Sequence, residues 1–195
     1  MRFELLAYAG MFIIMVTSMN LLVNPNRRSS IIVLGVQYLA VFFLVIQAWS
    51  VGLSSIKLIA GWMAAAILGL SEMGIKEREE QTERTSGRLF RVFSGILIWI
   101  LVFTITPGVS NWLPLPYVFI WSSLILIGLG IFQMAMSSNP LRIILGLFST
   151  FSGFEIIYSA VENSVLVAGL LAVVTLGIAM VGAYLIIAPS LEKIE

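Results

Sequence analysis

The chain has 195 residues, 59% hydrophobic and only 11% charged, with a mean hydropathy of +1.04 and a formal net charge of +1. Soluble domains carry about 25% charged residues, so a surface of this composition faces lipid, and the near-neutral balance argues against a nucleic-acid partner. Cysteine and histidine are absent, which excludes disulfides, thiolate zinc, iron–sulfur ligation, haem held through His or Cys, and any Ser-His or Cys-His nucleophile.

A membrane-spanning helix needs about 20 apolar residues, and seven stretches qualify in chain order. The first runs from Leu5 to Val23 and stops at the Asn24-Pro25-Asn26-Arg27-Arg28 turn. The second covers Ile31 to Trp49, and the third Leu53 to Met73. A charged connection, Lys76 to Arg88, follows and is expected to be a solvated loop or short helix. The fourth span, Leu89 to Ile105, is expected to end at the three prolines of TPGVSNWLPLP. Tyr117 to Met136 forms the fifth, Leu141 to Val161 the sixth, and Val165 to Ala188 the seventh, which Pro189 is expected to end. These runs are too long for membrane strands and do not alternate apolar with polar residues. A cleaved leader would not explain them, because they recur to the end of the sequence. The expected fold is an all-α, polytopic bundle of about seven spans: a three-span segment (1–75), the charged connection (76–88) and a four-span segment (89–195).

Basic residues orient it. With the N-terminus outside, Arg27, Arg28, Lys76, Arg78, Arg84, Arg88, Arg91, Arg142 and Lys193 all lie on the cytoplasmic side. Only Arg2 and Lys57 remain outside or within a span, as the positive-inside rule requires. The C-terminus is then cytoplasmic.

Charged side chains deep in a bilayer cost at least about 2.5–3.5 kcal/mol each, so each one carries information. Glu155 lies about 14 residues into span six, roughly 21 Å from its cytoplasmic end. One reading makes it a protonatable relay group. The other makes it packing glue, hydrogen-bonded to Tyr158, Ser152 or a neighbouring helix. Lys57 lies a few residues inside the outer end of span three. There it either snorkels to the headgroups or pairs with Glu155, which is expected at similar depth. Glu72 and Glu162 fall at span ends and are expected to be wet. Gln37, Gln47 and Gln133 are expected to hydrogen-bond across the bundle. Trp49, Trp112 and Trp121 fall near the outer interface, where aromatic belts form. Glycine and alanine line span seven, and Gly128 and Gly130 mark span five, as residues that let helices approach closely. No phosphate loop, metal-ligand cluster or catalytic constellation is present in the sequence, so no cofactor or metal is expected.

The stretch LIGLGIFQMAMSSNPLRIILGLFSTFSGFEIIYSA (126–160) resembles the K-subunit family of complex I and its relatives, the C subunits of Mrp antiporters and the E component of hydrogenase-4-type complexes. In that family a Gly-rich helix ends at a turn holding Asn, and a Gly-Leu-Glu element follows about seven residues on. Asn139 and the Gly146-Leu147 pair match this pattern. The longer first segment, with Lys57 in SSIKLIAGW, is closer to component E. The family glutamate falls on Phe148, however. The nearest carboxyl is Glu155, nearly two turns on and about 10 Å nearer the outside, so the relay is either displaced or absent. The resemblance implies a non-catalytic membrane-arm subunit of a complex-I-like or group 4 hydrogenase-like assembly in the inner membrane. Its partners would be antiporter-like membrane subunits and hydrophilic redox subunits. It would contribute to proton or sodium translocation, with Glu155, Lys57 and Tyr158 as relay candidates. A small independent transporter or channel, and a purely structural scaffold, are the alternatives.

Overall fold

A computed structural model describes residues 2–73 and 85–191. Among these residues there are seven helices: α1 (Arg2–Val23), α2 (Arg27–Val45), α3 (Val51–Met73), α4 (Thr85–Trp112), α5 (Tyr117–Ala135), α6 (Pro140–Val161) and α7 (Val165–Leu191). All seven are long and apolar enough to cross a membrane. The protein is a multi-pass helical membrane protein. Most of the Lys76–Arg88 connection lies outside the described residues, as does Lys193.

Turn chemistry sets several boundaries. The Asn26 side chain caps α2 by accepting from the Ser29 amide (3.2 Å), so α2 starts four residues before the apolar run. Asn139 does the same for α6, accepting from the Leu141 amide (3.1 Å), with Pro140 at a first-turn position where its missing N–H costs nothing.

Two expected helix ends are not where prolines suggested. The fourth helix continues through Pro107 to Trp112, and the seventh continues through Pro189 to Leu191. Each proline removes one backbone hydrogen bond. Around Pro107, hydroxyls bond carbonyls of their own helix: Thr104 to Ile100 (2.9 Å), Thr106 to Val102 (2.6 Å) and Ser110 to Pro107 (2.8 Å). Membrane helices tolerate the single bond that a proline removes. The chain instead turns at Leu113–Pro116, where two prolines lie close together.

The helices form two layers of three. In each layer the helices pack in sequence order, α1–α2–α3 and α5–α6–α7, and across the layers α1 faces α5, α2 faces α6 and α3 faces α7. The fourth helix closes one edge against α1 and α5. The two segments flanking the charged connection therefore pack against each other along their length. Polar contacts pin the ends. At one end Arg27 pairs with Glu72 (2.7 Å) and Arg142 donates to the Asn24 carbonyl (3.0 Å). At the other, the Trp49 indole donates to the Glu162 carbonyl (2.8 Å). These are called the Arg27 end and the Trp49 end below.

Outward surfaces are apolar, as with Phe93, Leu97 and Phe103 on α4 and Val173, Val181 and Leu185 on α7. The tightest seam is α5–α6. A Cβ on Gly130 would sit 2.6 Å from the Gly146 carbonyl oxygen, one on Gly146 would sit 2.7 Å from that of Gly130, and one on Gly153 would sit 2.7 Å from that of Ser123. The Ser123 hydroxyl donates to the Gly153 carbonyl (2.6 Å) across this seam. With no water to drive helices together, such close approach supplies the packing energy. Gly130→Ala is therefore expected to force the two helices apart and cost about 1–3 kcal/mol. Thermal unfolding in detergent micelles reads this out, with Gly169→Ala, where the added Cβ meets nothing within 4 Å, as the near-neutral control.

Candidate functional site

Lys57 and Glu155 meet. Lys57 lies six residues into α3 from Val51, and Glu155 six residues before the end of α6 at Val161. Both helices have these ends at the Trp49 end of the bundle, so the two residues fall at one depth, roughly 9 Å inward. Their side chains form an ion pair. Both are interior, with side-chain exposures of 7% for Lys57 and 2% for Glu155. Lys57 thus turns inward to the carboxylate rather than reaching to the headgroups, and the snorkelling reading is replaced by the paired one. The physical reason is the partner: an unpaired carboxylate at that depth is far costlier than a bent lysine chain.

A narrow cleft against the pair, too tight for a water molecule, is lined by Trp49, Ala168, Leu171, Ala172 and Thr175. The alanines of α7 leave the space beside the two charges. Trp49 covers them from above, its indole held to the Glu162 carbonyl. Thr175 satisfies its own hydroxyl on the Leu171 carbonyl (2.9 Å) and Ser54, one turn before Lys57, on that of Ser50 (3.1 Å). Neither hydroxyl is spent on the ion pair.

Below the pair lies a second polar group. The Tyr38 ring of α2 crosses to α3 over Gly61, one turn past Lys57. A Cβ on Gly61 would fall 2.2 Å from the ring, so only glycine fits beneath it. Phe148 meets the ring edge-on, with centroids 6.3 Å apart, and the Tyr38 hydroxyl lies near Ser152, one turn before Glu155, without a direct hydrogen bond to it. A further turn toward the Arg27 end, the Gln37 side chain donates to the Ser149 hydroxyl (3.1 Å).

The other sequence candidates separate cleanly. Tyr158 packs against Phe154 in a tilted pair (centroids 5.8 Å), and no hydrogen bond among the described residues joins it to Glu155. Ser152, one turn the other way, is buried as Glu155 is, with the Tyr38 hydroxyl near it. Asn139 is the α6 cap and Gly146 a contact point with α5. Leu147 is half-buried, and neither it nor Gly146 lines the cleft. Phe148, at the family's glutamate position, is fully buried in an apolar cluster with Leu34, Leu68 and Leu145.

Of the glutamines, Gln37 and Gln133 bond across helices, Gln133 to the Arg142 carbonyl (3.0 Å), whereas Gln47 bonds only Phe43 of its own helix (3.1 Å). Glu162 is exposed as expected, but Glu72 is largely covered by its pairing with Arg27. Trp49 and Trp121 are core residues rather than belt residues, and only Trp112 is fully outward. Tyr38 and Gly61 were missed as site residues. The signal was present: Gln37-Tyr38 interrupts an apolar run, and a glycine follows Lys57 at helical spacing. Among the described residues no cluster of three or more carboxylates could hold a metal.

Comparisons with known protein families, with characterised proteins and with solved structures find no match.

Breaking one side of the pair strands the other charge. Lys57→Met is expected to destabilise the protein by about 3–5 kcal/mol. The double variant Lys57→Met with Glu155→Met recovers most of that loss, because removing both charges also removes the desolvation cost. Equilibrium unfolding of the single and double variants checks this.

Proposed function

We propose that this protein is a non-catalytic membrane-arm subunit of a redox-driven ion-pumping complex, complex-I-like or group 4 hydrogenase-like, in which Glu155 is the protonatable relay and Lys57 its electrostatic partner. The buried ion pair carries this reading. Two charges held deep in an apolar bundle are expensive, and a hydrophobic pair of similar volume would be as stable or more so. Ionisable groups at such depth mark proton and ion routes. A carboxylate beside an ammonium group can take up or release a proton as the pair tightens or loosens.

The resemblance of the last three helices to the K-subunit family supports the choice of assembly. So does the matching local structure, an Asn-capped helix following a close glycine seam. On this reading the relay sits nearer the Trp49 end than the family's glutamate, with Phe148 filling the latter's place. The distribution of basic residues supports a cytoplasmic Arg27 end and an outside N-terminus, and the proposed assembly implies the inner membrane. Electron transfer belongs to hydrophilic partner subunits, and antiporter-like subunits flank the apolar outer faces of α4 and α7.

The tight cleft argues against an independent channel, which would need a wetted cavity. The scaffold reading, with the pair as packing glue, is decided by experiment. In the intact complex, Glu155→Gln is expected to lower ion pumping by roughly hundredfold, the scale of losing a positioned proton-transfer group, while the complex still assembles. Pumping at the unaltered rate, or isolation of the chain as a functional protein without large partner subunits, defeats the proposal.

A further inference from the structure

The relay needs a supply line, and the interior polar groups are not scattered. On α6, Ser149, Ser152 and Glu155 follow at three-residue steps along one buried stripe. On α2, Gln37 and Tyr38 face that stripe. Three atoms along it are enclosed and lack a protein hydrogen-bond partner: Gln37 Oε1, Tyr38 Oη and Ser152 Oγ. Buried polar atoms are nearly always satisfied, and a polar enclosure offering two to four partners is where an internal water is held. The stripe is bounded at both ends. Toward the Arg27 end it meets Leu34, Leu68 and Leu145, all buried and one turn or more below Tyr38 and Ser149. Toward the Trp49 end it stops at the ion pair, with Trp49 above.

We propose that Gln37, Ser149, Tyr38 and Ser152 form a water-holding hydrogen-bond file that delivers protons to Glu155 from the Arg27 side, with the Leu34–Leu68–Leu145 layer as its apolar gate. The inference rests on Glu155 being the relay, and adds the route and the side from which it is fed. A water at the Gln37 end takes up a proton from the Arg27 side as it gives one to Tyr38 Oη, and Tyr38 releases its own through a bridging water to Ser152 Oγ. Ser152 in turn releases its proton to the Glu155 carboxylate. Each hydroxyl gains and loses one proton, so both end as they began. The net change is one proton moved from the medium on the Arg27 side to the carboxyl, with Lys57 still an ammonium group and no electrons moved. Among the described residues the charged group facing Glu155 is Lys57 of α3, and the cleft beside them is lined from α7 by Thr175, Leu171 and alanines. Among the described residues no second carboxylate lines that cleft. Brief hydration opens apolar layers of this kind, and Gly61 keeps the tyrosine beside the line.

Time-resolved infrared spectroscopy of the full chain in lipid nanodiscs tests the file. The carboxyl band of Glu155 is assigned by its loss in Glu155→Gln, and its rise is followed after a drop in pH. Tyr38→Phe and Ser152→Ala are each expected to slow that rise about tenfold, the kinetic equivalent of one lost hydrogen-bond link, with the band itself retained. Leu34→Ser, which lets water into the gate, is expected to speed it. Two variants guard against one that does not fold. A band that rises at the unaltered rate in both Tyr38→Phe and Ser152→Ala overturns the file while leaving the relay standing. A wild-type protein in which no Glu155 band ever rises overturns the relay and the file together.

Discussion

Hydrocarbon neither donates nor accepts hydrogen bonds, and that single property of the solvent governs this protein. It forces every spanning segment into a helix whose backbone satisfies itself. It also removes the usual reward for burying apolar side chains, because lipid is as apolar as leucine. Helices must then be held by close contact and by polar groups. Both devices are visible. Gly130, Gly146 and Gly153 bring α5 and α6 into backbone contact, and Arg27–Glu72, Arg142–Asn24 and Trp49–Glu162 lock the ends. Many serine and threonine hydroxyls return to their own helices, as those of Thr17, Ser18 and Ser71 do.

The Lys57–Glu155 pair is the exception to this economy. Packing does not need it, since alanines and leucines fill the same level around it. It ties α3 of one layer to α6 of the other at the point where α7 recedes. Its position decides which side chains become important next. Gly61 is small because Tyr38 must pass beneath the pair, and Trp49 turns inward because the α2–α3 connection closes over it. A charge pair that costs more than an apolar pair, surrounded by groups shaped to accommodate it, is the feature on which the proposed proton-handling role rests.

Much of the fold was legible because hydropathy and turn chemistry act locally. The runs up to Val23 and Met73 and across Leu141–Val161 matched the observed helix ends within a residue or two, and Asn26 and Asn139, read only as turn residues, act as helix caps. Prolines were overread. Pro107 and Pro189 sit inside helices, since a membrane helix can lose one backbone bond and stay helical when continuing is cheaper than turning in lipid. The aromatic belt was overread too: Trp49 and Trp121 lie near helix ends, but sequence position along a span says nothing about which way a side chain faces.

The sequence by itself determined the class of protein, the number of spans and the identity of the two deep charges, because each follows from the cost of polar groups in hydrocarbon. It left Lys57 between the headgroups and Glu155, and it gave no weight to Tyr38. Tertiary structure decided both. Only the facing of α2 with α6 and α3 with α7 sets depth and azimuth together, and an ion pair across 98 positions of chain depends on both at once. The same geometry set Tyr158 aside and brought Ser152 forward, each three residues from Glu155 on one helix but turned to different neighbours.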